Sequence, residues 1–139
     1  MGGISVSNSS ITVKSIFREY EVFFEENYNS LTDQVFEEIN YHVIIDNKVS
    51  ELHQDNLGWL KNAVSIIGID AIEKNKNLNT VKKISEELLK NKINKNDKII
   101  VIGGGIIQDV AAFTANIIKR GIGWYFIPTT LLAMCDSCI

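Results

Sequence analysis

A run of apolar residues that ends in three glycines and passes straight into an apolar helix constrains this chain most. Lys98–Ile102 reads as a strand, Gly103-Gly104-Gly105 as a turn, Ile106–Lys119 as a helix and Trp124–Ile127 as a second strand. Two strands joined through a helix lie parallel in one sheet, with a right-handed crossover. A strand apolar on both faces must be covered on both. The same grammar holds upstream. Tyr41–Asp46 (YHVIID) has the apolar centre Val43-Ile44-Ile45, a helix is predicted from Val49 to about Leu60, and Ala63–Ile67 reads as a strand. Asn77 suits an N-cap, and Leu78, Val81, Ile84, Leu88 and Leu89 follow it as a helical apolar stripe. Strands alternating with helices predict an α/β, Rossmann-like parallel sheet with flanking helices.

The first forty residues are different. Ile11–Ile16 and Glu19–Phe24 alternate and predict a hairpin, with Arg18 in the connection. Leu31–Ile39 predicts a short helix that turns Val35, Phe36 and Ile39 inward, while the polar start, Asn8-Ser9-Ser10 included, reads as a tail. At 139 residues one domain with a real core is expected. A net charge of −3 offers no basic face for nucleic acid. No apolar run reaches the roughly 18 residues of a membrane span, and the N-terminus lacks signal-peptide character, so a cytoplasmic chain is expected. Cys135 and Cys138 form a C-x-x-C, which fits a redox pair, half of a zinc site, or two small residues on one helix face. No second cysteine pair accompanies it.

The glycine turn carries the chemistry. Glycine lets the backbone turn sharply and approach a ligand closely. The N–H groups of Gly105 to Gln108 then face whatever occupies the helix N-terminus, where the dipole favours phosphate. The usual dinucleotide fingerprint is G-x-G-x-x-G, and here Gln108 stands at the third glycine. A structural βα turn fits the same residues. Asp109, read as lying in the first helical turn, fits a charge–dipole contact or a hydrogen bond to a cofactor. Lys119 and Arg120 are expected in the last turn, ahead of Gly121 as the stop. Pro128-Thr129-Thr130 ends the next strand, and its hydroxyls fit a helix cap or a ligand at the carboxyl edge of the sheet.

Taken together, Gly103–Asp109 (GGGIIQD), Lys119-Arg120-Gly121, Pro128–Ala133 (PTTLLA) and Asp136-Ser137 closely resemble the 3-dehydroquinate synthases. These are sugar phosphate cyclases that share a fold with glycerol dehydrogenase and the iron-containing alcohol dehydrogenases. Glu73-Lys74-Asn75-Lys76 resembles the family's E-x-x-K segment, and the likeness covers about residues 40–139. It implies NAD and a zinc or cobalt ion as cofactors. It also implies conversion of a seven-carbon phosphorylated keto acid to 3-dehydroquinate with loss of phosphate. Position by position, Gly104, Gly105, Ile106, Ile107, Gln108 and Asp109 would line the pyrophosphate and nicotinamide side. Glu73 and Lys76 would hold the adenosine end, Asp46 a ribose, and Thr129 and Thr130 would also meet NAD. Asp136 would bind substrate, and Arg120 would reach the substrate phosphate across the interface of a homodimer.

Three departures qualify the likeness. Gln108 and Ala112 replace family glycines, the cysteines are not diagnostic, and the Gly-Gly-Lys that the resemblance leads one to expect after Ile139 lies outside the chain. The helical second domain, with its Glu and two His metal ligands, is likewise expected elsewhere. Residues 1–139 are therefore expected to be the NAD-binding N-terminal domain, without a metal site and inactive alone. A related cyclase of secondary metabolism, or a non-catalytic association domain, are the alternatives. Asp136-Ser137 after PTTLLA fits the cyclases better than the alcohol dehydrogenase branch.

Overall fold

Tyr41–Asp46 and Lys98–Gly103 pair in parallel at the centre of the molecule, and Val43, Ile44, Ile99, Ile100 and Val101 are all fully buried. The computed structural model describes residues 4–6, 10–14, 19–24 and 39–137. Three short antiparallel strands come first: β1 (Ile4–Val6), β2 (Ser10–Lys14) and β3 (Glu19–Phe23), in that order. The expected hairpin is extended to a three-stranded sheet, because Ile4–Val6, not expected as a strand, pairs with Ile11–Val13. The helix expected at Leu31–Ile39 falls outside the described residues up to 38. Ile39 itself is irregular and 37% exposed, so it does not face inward.

The second sheet is wholly parallel, with the order β5-β4-β6-β7 for β4 (Tyr41–Asp46), β5 (Ser65–Ile69), β6 (Lys98–Gly103) and β7 (Trp124–Pro128). The expected α/β class and flanking helices are present. The central strands β4 and β6 are covered on both faces, as their unbroken apolar character requires. One face is packed by α2 (Leu78–Lys90) and α3 (Gly105–Ile117), through Val81, Ile84, Leu88, Ile107, Val110 and Ala111. The other face is covered by the irregular segment 47–62, through Leu57, Trp59 and Leu60.

That segment differs from expectation. A single helix over Val49–Leu60 is replaced by α1 (Asn47–Leu52) and two short 3₁₀ turns, Gln54–Asn56 and Gly58–Asn62. His53 leaves helical geometry at φ −121° and ψ 25°. The break lets Trp59 and Leu60 turn onto the sheet, which a continuous helix would not do. β5 is also shifted two residues along from Ala63–Ile67, since its register against β4 runs from His42↔Ser65 to Asp46↔Ile69. On α2, Asn77 does cap the helix, accepting from Thr80 N at 2.9 Å. Leu78 and Leu89, however, are 71% and 51% exposed, so the buried stripe narrows to Val81, Ile84 and Leu88.

One polar residue sits inside this apolar frame. His42 is fully buried in β4, with Nδ1 2.7 Å from Ser65 Oγ. Its Nε2 lies 3.5 Å from Asp97 Oδ2, too far for a good hydrogen bond, and has no other partner. Asp97 is engaged elsewhere, accepting from the Asn94 amide at 2.7 Å. Burial therefore lowers the His42 pKa, and the attraction of Asp97 offsets this only in part. The unfolded chain, with an ordinary histidine pKa near 6.5, takes up the proton more readily than the folded one. The stability from this site is present above that value and is lost as pH falls through the lowered folded value. The melting temperature should drop between about pH 7.5 and pH 5.5, and His42→Gln should flatten that dependence when both are followed by circular dichroism.

Candidate functional site

The four parallel strands end nearly in line. Ile69 is paired with Asp46, Ile45 with Ile102, and Gly103 with Pro128. The loops leaving these ends, all on the carboxyl side of the sheet, carry most of the residues singled out from sequence. Such an edge is where open α/β sheets form their ligand crevices.

The glycine turn is shaped by what surrounds it. Gly104 takes the N-cap position of α3 with φ −92° and ψ −170°, and no side chain caps the helix. The Gln108 amide is bonded to the Gly104 carbonyl at 3.0 Å, so it does not face outward as expected. The open donors are those of Gly105, Ile106 and Ile107. The Thr129 amide donates to the Gly103 carbonyl at 2.9 Å and ties the two strand ends together. A Cβ on Gly104 would lie 3.0 Å from Thr130 Cγ2, and one on Gly103 2.7 Å from Ile107 Cγ1. At Gly105 a Cβ would meet nothing within 4 Å. Glycine at 103 and 104 thus allows close packing, whereas at 105 it leaves open space at a helix N-terminus.

The remaining residues fall around that space. Thr130 caps the next helical segment, its Oγ1 accepting from the Ala133 amide at 3.2 Å. Asp46 caps α1, accepting from the Lys48 amide at 3.0 Å. Asparagine side chains order the loop after β5. Asn47 Nδ2 reaches Asp70 Oδ1 at 2.6 Å, Asn75 Nδ2 reaches the Asp70 carbonyl at 2.9 Å, and Asn77 Nδ2 reaches the Lys74 carbonyl at 2.6 Å. Glu73 opens a 3₁₀ turn in this loop, and Lys76 closes it. Lys76 Nζ then meets Asp109 Oδ2 at 2.7 Å, across the mouth of the glycine turn. Hydrogen bonding to Asp109 raises the Lys76 pKa, and the charges of Asp109 and Glu73 add to it. Because α3 begins at Gly105, Asp109 is past the first turn, and its partner is Lys76 rather than the helix dipole.

A small cleft of about 120 Å³ opens on the other face of the same edge, lined by Val49, His53, Leu57, Ile102, Pro128, Thr129 and Met134. His53 carried no signal in the sequence, since its position depends on the break after α1. Thr129 borders this cleft and the glycine turn alike.

Two further site residues remain to be placed. Asp136 lies in a π-helical segment, Ala133–Ser137, following Thr130. Arg120 sits beyond the far end of α3, and thirteen helical residues at about 1.5 Å each put roughly 20 Å between it and the glycine turn. Lys119 and Arg120 do not occupy the last turn of the helix, as expected. They form a tight turn at φ 49° and 62°, and Gly121 follows at φ 89°. Cys135 is exposed and free, and Cys138 lies outside the described residues. Among the described residues no group of three or more His, Cys, Asp or Glu could hold a metal, and no helix is long and apolar enough to cross a membrane.

Fold and site together define a parallel α/β domain whose ligand edge is a glycine turn beneath an uncapped helix. The chain belongs to the family described as 3-dehydroquinate synthase N-terminal, which it matches over residues 66–139. It is 48% identical over 99 residues to the 3-dehydroquinate synthase of Pelagibacter ubique (strain HTCC1062), covering 70% of this chain and 27% of that protein. Against the Clostridium tetani (strain Massachusetts / E88) 3-dehydroquinate synthase the identity is 33% over 128 residues, with coverages of 86% and 34%. The chain therefore spans about a third of the length of these curated relatives. Among solved structures, 2-deoxy-scyllo-inosose synthase complexed with carbaglucose-6-phosphate, NAD+ and Co2+ superposes with a TM-score of 0.77 at 27% identity, over 93% of this chain and 38% of that one.

The glycines separate on substitution. Gly105→Ala should be neutral or stabilise by about 0.5 kcal/mol, because its φ is not positive and the added methyl has room. Gly103→Ala should cost about 1–3 kcal/mol, because Ile107 must move. Urea denaturation of the two variants measures both.

Proposed function

We propose that residues 1–139 form the NAD-binding domain of a 3-dehydroquinate synthase. The substrate would be 3-deoxy-D-arabino-heptulosonate 7-phosphate, a seven-carbon phosphorylated keto acid, which loses phosphate as the carbocycle closes. The observation that carries this reading is the open space at Gly105, beneath three unpaired amides at a helix N-terminus. A Cβ at Gly105 would project into that open space, and the space at a helix N-terminus suits a pyrophosphate. Gly104, Gly105, Ile106 and Ile107 would hold that group. Glu73, Lys76 and Asp46 would receive the adenosine, while Asp109, Thr129 and Thr130 would orient the rest. NAD supplies a transient hydride acceptor for a substrate hydroxyl. The protein's part is to position and to exclude water.

The donor set among the described residues does not suit zinc or cobalt, so no step is assigned to a metal here. We further propose that these 139 residues alone turn over no substrate, that Asp136 contacts substrate, and that Arg120 serves the site of a second copy in a homodimer. The roughly 20 Å between Arg120 and the glycine turn supports the last point. A second reading, a cyclase acting on another phosphorylated sugar, draws support from the fold shared with 2-deoxy-scyllo-inosose synthase. The higher identity to the curated 3-dehydroquinate synthases favours the first.

Isothermal titration should give a Kd for NAD below about 1 mM, a weak but measurable affinity. Gly105→Ala, although folded, should lose it by tenfold or more. Heat release that stays flat at millimolar NAD would overturn the cofactor reading. Phosphate release by the purified 139-residue chain, supplied with substrate, NAD and zinc or cobalt, would overturn the claim that it is inactive alone.

A further inference from the structure

The turn that presents Arg120 is held by a side chain from a different part of the chain. Lys119 and Arg120 both adopt the left-handed region, at φ 49° and 62°. That conformation is unfavourable for residues with a Cβ and persists only where its surroundings enforce it. Part of the enforcement is local, with the Gly121 amide bonded to the Ile118 carbonyl at 2.9 Å and the Ile122 amide to the Ala115 carbonyl at 2.8 Å. The rest comes from Lys95, in the link before β6. Its Nζ donates to the Arg120 carbonyl at 3.2 Å and also to the Gly121 carbonyl. The two carbonyls are successive, and a single ammonium, with three donors, can bind both. The Arg120 side chain is itself exposed and has no hydrogen bond or ion pair with any described residue. The turn is therefore braced at its backbone and free at its guanidinium.

We propose that Lys95 is a positioning residue for Arg120: by clamping the carbonyl oxygens of Arg120 and Gly121 it fixes the left-handed turn that presents the exposed guanidinium to an anionic group. The inference rests on the reading above, in which Arg120 binds the phosphate of the substrate. A clamp of this kind raises affinity by removing the freedom that Arg120 would otherwise lose on binding. Its loss should weaken phosphate binding without slowing the chemistry.

The test uses the full-length enzyme that carries this chain, with Lys95→Met, Lys95→Arg and Arg120→Ala. Lys95→Met removes a charge-assisted contact, so amide hydrogen exchange at Gly121 and Ile122 should quicken about tenfold. KM for the phosphorylated substrate should rise by about the same factor with kcat within twofold, the pattern of lost uniform binding. Lys95→Arg, which keeps the donors, should restore both. If Arg120→Ala raises KM and Lys95→Met does not, the positioning role is overturned while the phosphate role of Arg120 stands. If Lys95→Met raises KM and Lys95→Arg fails to restore it, the clamp is likewise overturned. If Arg120→Ala leaves KM unchanged, the phosphate role fails, and with it the purpose given to Lys95, whatever the exchange rates.

Discussion

The unstaggered parallel pairing of β4 with β6 governs the rest of the molecule. Tyr41 opposes Lys98 and Ile45 opposes Ile102, so the two buried strands end together. β5 and β7 add on either side in matching register, at Asp46↔Ile69 and Gly103↔Pro128. Four chain reversals consequently start from one line. The loop with Glu73 and Lys76, the cap Asp46, the glycine turn, and Thr129-Thr130 become neighbours although they are far apart in sequence. A slip of one residue in β6 would reverse its faces and carry Gly103 away from Thr129. The packing of α2 and α3 on one face and of Leu57, Trp59 and Leu60 on the other, with the Thr129–Gly103 bond at the strand ends, holds the observed register. The same packing that stabilises the core also assembles the crevice.

Helix α3 does the opposite work, since it separates. Its N-terminus lies in the crevice and its C-terminus at the other edge of the sheet, beside Arg120 and Lys95. The fully buried Ile107 and Ala111 and the nearly buried Val110 and Ala115 bind one face of it to the sheet and α2, which makes it a rigid spacer. The roughly 20 Å length of this spacer keeps the Arg120 guanidinium away from the glycine turn, which is why the proposed role gives it a ligand from outside its own domain. The separation of the glycine-turn edge from the arginine edge thus follows from the length of one helix.

Much of this was legible in the sequence because it depends on periodicity and on turn chemistry. The limits of β4 match the run YHVIID, and the Asn77 cap and the parallel order follow from patterns that short-range physics enforces. What was not legible depends on tertiary competition. Leu89 shares the helical stripe of Leu88 but lies at its rim, and only the arrangement of neighbouring elements decides which of the two is covered. The stretch 47–62 has helical periodicity, yet the demand to bury Trp59 and Leu60 breaks it at His53. The helix starts at Gly105 rather than Ile106, and that one residue places Asp109 beyond the first turn, where the dipole fades. The positive φ of Lys119 and Arg120 has no local signature, since neither is a residue that favours that conformation.

The pair Lys76–Asp109 shows how the crevice can be both ordered and ready for a ligand. The two groups are about half exposed, at 46% and 53%. Ion pairs so exposed contribute only about 0–1 kcal/mol, because water screens the attraction and fixing two flexible side chains costs entropy. Such a contact serves stability poorly, but it keeps a cation and an anion side by side, with the anion on the helix that leaves the glycine turn. A ligand that, on the proposed reading, brings its adenosine end toward Lys76 and hydroxyl or amide donors toward Asp109 replaces one exposed pair with two contacts in a less watery setting. The exchange costs little because the original pair is weak. A buried pair in the same place would resist it by several kcal/mol, since each charge would lose its partner before gaining another. Exposure of this pair therefore suits the proposed cofactor role, in which the pair must open, and asparagine side chains hold the backbone of the loop that carries Lys76.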